Sequence, residues 1–417
     1  MIDYFRFTTL VSLLTTTSLA LAGGPLVLEG SDGNTPVTYQ NPNVTIHAET
    51  GPLGNDYTNE EADTLIIEAF NLWNNVSTST VNLVLDDDGV NTDINTSNFL
   101  TYLPDPNGSE TNTDDNKNPI VYDNDGTIID AFLYDGASDD TIGFAASFYS
   151  IEGDYFIEGY AVISGKEPPP PRIPLTSTEL KLLVTHEIGH FMGLDHSQVD
   201  IDNRETNFGF PLVCTTAIQD KYPVMYPYVC RDEVTLHADD INAISALYPA
   251  ANFDTSFGII EGRFVDEDGN AILGANIWAE NTATGDVVSI VSDYLLEGTG
   301  FYRLHLTPGT YTLHANSINP LFNDGSSIGP YSYEIDDPSF TDPHPIAEVT
   351  LQAEVAGIEM ISVIADQTVT INFSVAGSSV ELSTSSGGGG SSAISGFASL
   401  MLLSLLIAGR RFNAIKN

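Results

Sequence analysis

The string His186-Glu187-Ile188-Gly189-His190-Phe191-Met192-Gly193-Leu194-Asp195-His196 limits the local fold more than any other part of this chain. His186 and His190 stand four apart, so on a helix they project from one face and offer two imidazole nitrogens to one ion, with Glu187 beside them. Gly193 accepts positive φ without steric cost, so the chain can leave the helix in a sharp turn and bring His196 round as a third ligand. Three protein ligands leave one tetrahedral position for water, which distinguishes a catalytic zinc from a structural one. The helix has its own start signal: Thr176 with Glu179 forms a capping box, and Leu180, Leu183, Val184 and Ile188 recur at helical spacing. A bare His-Glu-x-x-His occurs by coincidence on ordinary helices; the added glycine and third histidine make coincidence a poor account here.

These residues resemble the metzincin zinc metallopeptidases, whose active-site helix is followed downstream by a methionine turn. Tyr222-Pro223-Val224-Met225-Tyr226-Pro227 is the matching segment, and the resemblance implies Met225 as an apolar, polarisable floor under the metal. Within that group the chain is most similar to the matrixins. Ser197 follows His196, and the stretch Leu236-His237-Ala238-Asp239-Asp240-Ile241-Asn242-Ala243-Ile244, with Leu247 and Tyr248, looks like the terminal matrixin helix. The similarity covers about residues 36–250 and is strongest from 176 onward. It implies an α/β metzincin catalytic domain, with a five-stranded mainly parallel sheet, long helices and a smaller subdomain below the cleft. It also implies zinc on His186, His190 and His196, with Glu187 as the general base that activates water for hydrolysis of peptide bonds.

Three departures from the matrixin pattern stand out. No histidine lies between His47 and His186, so the second, structural zinc site of vertebrate matrixins has no ligands. The interval from His196 to Met225 is long, and Pro227-Tyr228-Val229 replaces Pro-x-Tyr at the specificity wall. Residues 197–224 are therefore expected to form an extra loop over that side of the cleft. The only two cysteines, Cys214 and Cys230, bracket the methionine turn, and in an exported chain such a pair favours a disulfide. Closing a loop of about 15 residues stabilises by roughly 3 kcal/mol in the chain-entropy model. With no further cysteine, a cysteine-switch propeptide of the matrixin kind is excluded.

Export is the expectation from the two ends. Residues 1–22 combine Arg6, an apolar run and an Ala20-Leu21-Ala22 cleavage signature, which is the pattern of a secretory signal peptide. Residues 383–392 are a Ser/Gly linker, and residues 393–417 hold an uncharged apolar stretch closed by Arg410, Arg411 and Lys416. Its 17 uncharged residues, 393–409, would span about 26 Å as a helix, enough to cross a bilayer with the C-terminus in the cytoplasm. This tail resembles the Gly-Gly sorting signals of Gram-negative bacteria. That likeness implies export machinery and a rhomboid-like sorting protease as partners, and a protein secreted or anchored at the cell surface, touching membrane only through the terminal helix.

Residues 23–253 are expected to form the metallopeptidase domain. Thr58 and Glu61 cap a helix with apolar residues Ala62, Leu65, Ile66, Ala69, Phe70 and Trp73, and strands are expected at 44–47, 80–85, 141–149 and 155–163. A second domain, 256–376, alternates short strands with turn residues: 259–265, 272–277, 300–304, 307–313 and 368–373. It resembles the carboxypeptidase regulatory-like β-sandwich, and stabilising, spacing and substrate-docking roles are all open.

Thirteen Lys and Arg against 57 Asp and Glu give a net charge of −44, which argues against nucleic acid as a partner. Ca²⁺ is a second candidate ion beside Zn²⁺, at Asp86-Asp87-Asp88-Gly89, at Asp123-Asn124-Asp125-Gly126 with Asp130, and at Asp135 with Asp139 and Asp140. None of these keeps EF-hand spacing, and acidic loops are commonly just solvated. His47, His237, His305, His314 and His344 lack ligand spacing and are expected to be structural. The functional expectation is a secreted or surface-exposed zinc endopeptidase acting on extracellular proteins or peptides. The alternative is a surface adhesion or matrix-binding protein with a vestigial metallopeptidase domain.

Overall fold

A computed structural model describes residues 24–29, 34–86, 89–104, 117–150, 155–167, 174–201, 214–318, 348–351, 360–377 and 379–386. The expected signal peptide and membrane tail lie outside them, as does His344. Among the described residues no helix is long and apolar enough to cross a membrane.

Two strand pairs open the chain: β1 (Leu28–Glu29) with β2 (Thr35–Pro36), and β3 (Thr38–Tyr39) with β8 (Tyr155–Ser164). β4 (Asn43–Ala48), β5 (Asn82–Leu85), β6 (Pro119–Asp123) and β8 run parallel in the order β8-β6-β4-β5, and β7 (Gly143–Ser150) lies antiparallel on the outside of β8. The sheet therefore counts six strands where five are expected, and the addition is the two-residue β3. Tyr39 fixes it there, its ring 5.3 Å from Phe156 and 5.6 Å from Phe191. The strand expected from residue 80 starts at Asn82, because Thr80 N–H is engaged by Tyr248 O.

Both faces of the central strands are buried, which accounts for their unbroken apolar runs. Ile120, Tyr122, Ala161 and Ile163 face helices α1 (Asn59–Asn74) and α3 (Ser177–Phe191), while Val121, Tyr160 and Val162 face α2 (Thr127–Phe132). Both long helices start at a reciprocal capping box. Thr58 N–H donates to Glu61 at 2.9 Å and Thr176 N–H to Glu179 at 2.7 Å, satisfying orphan amides at each helix start. The helices lock together where Trp73, fully buried, donates its indole N–H to Thr185 O at 3.0 Å. After the methionine segment come α4 (Ala238–Leu247) and the short α5 (Phe253–Ser256).

The second domain is two sheets face to face. One has the order β11 (Val287–Val291), β10 (Asn276–Asn281), β13 (Gly309–Asn316), β14 (Val349–Thr350), with β15 (Ile361–Val363) also on β13. The other has the order β12 (Phe301–Leu306), β9 (Gly258–Val265), β16 (Gln367–Ser374), β17 (Ser379–Ser386). Two boundaries differ from expectation. The strand placed at 272–277 begins at Asn276, because Gly274 turns the chain with φ +82 just before it. The sandwich also continues past 376: β17 pairs along β16 from Gln367↔Ser386 to Phe373↔Ser379, so residues 383–386 belong to a sheet and not to a linker. A ladder needs only backbone N–H and C=O groups, so a serine-rich composition does not prevent it.

The two domains are not independent. Val199, Tyr222, Tyr226 and Cys230 of the first share a buried apolar cluster with Trp278 and Val287 of the second.

Candidate metal centre

Three imidazoles meet at the end of α3. His186 and His190 come from successive turns of the helix, and Gly193, at φ +87, reverses the chain. A Cβ on Gly193 would come within 2.6 Å of the Phe156 ring, so this turn needs glycine both for its φ and for space. Beyond it, Nε2 of His196 lies 3.1 Å from Nε2 of His186 and 3.0 Å from Nε2 of His190, and the latter two are 3.0 Å apart.

The tautomers follow from the other ring nitrogen. Nδ1 of His186 is 2.7 Å from Val224 O, and Nδ1 of His190 is 2.8 Å from Leu194 O. A carbonyl oxygen only accepts, so both rings carry their proton on Nδ1 and present a bare lone pair at Nε2. Lone pairs converging at this range repel one another unless a cation accepts them. Tetrahedral zinc ligands at about 2.0–2.1 Å from the ion lie roughly 3.3–3.4 Å apart, so the triangle is a few tenths of an ångström tighter than a bound small divalent ion would set it. Among the described residues this is the one group of three His, Cys, Asp or Glu side chains whose ligand atoms converge closely enough to hold an ion. Burial pushes His186 down to about 4 and His190 well below its ordinary value, which keeps both rings in the neutral, ligating form.

Glu187 lies beside the triad, 3 % exposed, and burial pushes its carboxyl up to about 8. Its Oε2 has no hydrogen-bond partner within the protein. Oε1 sits 3.0 Å from where a Cβ on Gly143 would stand, so the absence of a side chain there lets β7 run alongside the carboxylate. Among the described residues no strand pairs with the outer edge of β7.

Met225 lies under the helix, 1 % exposed, and a Cβ on Gly189 would come 2.3 Å from its Sδ. The turn carrying it hangs on Asp240, whose carboxylate accepts Val224 N–H at 2.9 Å, Met225 N–H at 3.0 Å and His237 N–H at 2.8 Å. Since Val224 O in turn accepts from His186, Asp240 orients a ring of the triad through one intermediate residue. Asp239 turns the other way and accepts Ser197 Oγ–H at 2.5 Å, directly after His196. Burial raises both carboxyls, Asp239 to about 7, against amide and hydroxyl donors that favour the ionised form. The sequence marks these two acids as a pair at a helix start but does not indicate that each serves a different part of the centre.

Cys214 and Cys230 are joined in a disulfide with Cα atoms 5.4 Å apart, spanning the methionine turn. The described ends of the expected cleft loop, 197–201 and 214–224, contribute Val199 and Tyr222 to the cluster shared with the sandwich; 202–213 lies outside the described residues. Several of the described candidate calcium carboxylates are engaged locally. Asp123 accepts Ile128 and Ile129 N–H, Asp125 accepts Thr127 N–H, Asp130 accepts Ser138 N–H, and Asp139 pairs with Lys166 at 2.7 Å. Asp87 and Asp88 lie outside the described residues. Of the other histidines, His47 accepts Asn118 N–H, His237 caps α4, His305 meets the Phe253 ring edge, and His314 stacks on Trp278.

No family model matches the chain. No curated protein matches it either. Among solved structures, 5-hydroxyisourate hydrolase of Klebsiella pneumoniae is similar at 14% identity over 31% of this chain and 99% of its own, with a TM-score of 0.16. An (S)-allantoin synthase is similar at 15% identity over 32% of this chain and 45% of its own, with a TM-score of 0.17. At such scores neither likeness carries an argument about fold or activity.

Proposed function

We propose that the protein is an exported, metzincin-type, matrixin-like zinc endopeptidase. The observation that carries this reading is the meeting of three Nε2 lone pairs, two of them tautomerically fixed, beside a buried carboxylate with an orphan oxygen. His186, His190 and His196 would hold the ion. A zinc ion there supplies Lewis acidity and brings the pKa of a bound water towards neutrality. Glu187, kept ionised by the neighbouring dication against the upward push of burial, would through the oxygen that lacks a partner take the proton from the attacking water and deliver it to the leaving amine. The edge of β7, unpaired among the described residues, is suited to an extended peptide, which would gain main-chain hydrogen bonds by adding as a further strand.

No specific observation favours the adhesion reading: all four chemistry-bearing residues stand together, and part of the outer surface of the sandwich is covered. The direct test is hydrolysis of casein by purified protein, by Glu187→Ala, and after chelation followed by zinc add-back. Activity that depends on Glu187 and returns with zinc supports the peptidase reading. Turnover that persists in Glu187→Ala sinks it.

A further inference from the structure

A free β-sandwich alternates apolar residues facing its core with polar residues facing water. β11 departs from that rule. Val288 and Ile290 face the sandwich core, yet Val287, Ser289 and Val291 on the opposite face are 0%, 4% and 0% exposed. β10 behaves likewise: Ile277 and Ala279 point inward, while Trp278 on the outer face is 1% exposed. Val199, Tyr222, Tyr226 and Cys230 cover Trp278 and Val287, Asp239 of α4 meets Ser289, and Val291 packs on Leu273 and Ile318 of the sandwich itself.

The contacts are polar at defined points. Ser289 N–H donates to Asp239 at 2.6 Å, and the Ser289 hydroxyl lies 3.1 Å from Ser197 Oγ. Lys221 pairs with Glu280 at 2.7 Å, and the Asn316 amide donates to Asp200 O at 2.5 Å. Asp239 is thus shared: one oxygen takes Ser289 of the sandwich, and the other takes Ser197, the residue after His196. Ser197 N–H also donates to Met225 O at 2.7 Å, so the same residue ties the third ligand to the methionine turn.

We propose that the β-sandwich is a working part of the metal centre: Ser289, through Asp239 and Ser197, fixes the loop that carries His196. Ser289 and Asp239 are positioning residues in this scheme. The inference rests on the zinc reading above. It replaces a separable docking module with one whose seating sets how well the third ligand is held, as outer-shell partners of metal ligands do.

Zinc affinity measures this directly, by competition with a chromophoric chelator on the whole protein, with thermal unfolding recorded in parallel. Asp239→Asn and Trp278→Ala are expected to weaken zinc binding about 10–100-fold, the usual range for lost outer-shell support, and Ser289→Ala by a smaller factor because its N–H remains. Ile371→Ala, in the core of the sandwich's other sheet, is the control: it should lower the unfolding temperature and leave zinc affinity within about twofold. Zinc affinity unchanged in Asp239→Asn and in Trp278→Ala, or falling equally in Ile371→Ala, overturns the proposal. Should Asp239→Asn fail to fold, Trp278→Ala and Ser289→Ala decide it by the same criterion. Wild-type protein that takes up no zinc sinks the reading of the site together with this inference; normal uptake by wild type and variants alike sinks the inference alone.

Discussion

His190 and His196 are six residues apart and their Nε2 atoms 3.0 Å apart, but different physics holds each of them. His190 belongs to a capped helix that buries most of one face, and its ring is oriented by Leu194 O within the same turn of chain. His196 lies past a left-handed glycine, on a segment without helix or strand, and its neighbour Ser197 depends on Asp239, Met225 and Ser289 from distant parts of the sequence. One ligand is a product of local structure and the other of tertiary assembly. A histidine triad made in this way is sensitive to distant damage on one side only.

Removing residues 257–386 attacks the assembled side and should have the largest effect. It uncovers Val199, Tyr222 and Tyr226, at about 1.5–3 kcal/mol for each large apolar side chain, so the truncated protein is expected to aggregate or lose its cooperative unfolding transition. A soluble, zinc-loaded truncation would erase the distinction between the two sides. Glu187→Ala attacks chemistry alone: peptidase activity should fall about 10²–10⁴-fold or more while zinc content, read by elemental analysis, stays at one ion per chain.

Chelation should separate the sides most clearly. With zinc at a hundredfold over its dissociation constant, its removal costs about 2.7 kcal/mol of stability, and amide exchange should rise across 193–200 while 180–190 stays protected. Equal deprotection of both segments would mean that the helix also needs the ion. Gly189→Ala forces a methyl against Met225 Sδ and should destabilise by about 1–3 kcal/mol, seen as a lowered unfolding midpoint. Thr176→Ala, at the far end of α3, should cost about 1 kcal/mol and leave zinc affinity untouched.

The same division explains what the sequence makes legible. His186, His190, Gly193 and the capping residues Thr176 and Glu179 encode their arrangement by spacing, since helix geometry and glycine's φ convert sequence distance into position. The disulfide is legible because two cysteines allow one intramolecular pairing. Asp239 and Ser289 are 50 apart, and no local rule brings an acid at a helix start to a serine on a strand. A weak signal exists: Val287-Val288-Ser289-Ile290-Val291 is apolar at positions a free sandwich would leave polar, and such a run in an antiparallel edge strand implies a cover. The strand at 379–386 is obscured by composition, because a serine-rich stretch reads as linker until a neighbouring strand with open backbone groups is known to lie beside it.

The burial of β11's outer face also orders events in time. A polypeptide made from its N-terminus presents all three histidines some ninety residues before Ser289 is synthesised, and more than a hundred before Asn316. The nascent chain therefore has its three histidines long before it has the seat for the last of them. Full assembly of the proposed metal centre waits for the sandwich strands, so incomplete products of translation would carry the motif without the contacts that seat His196.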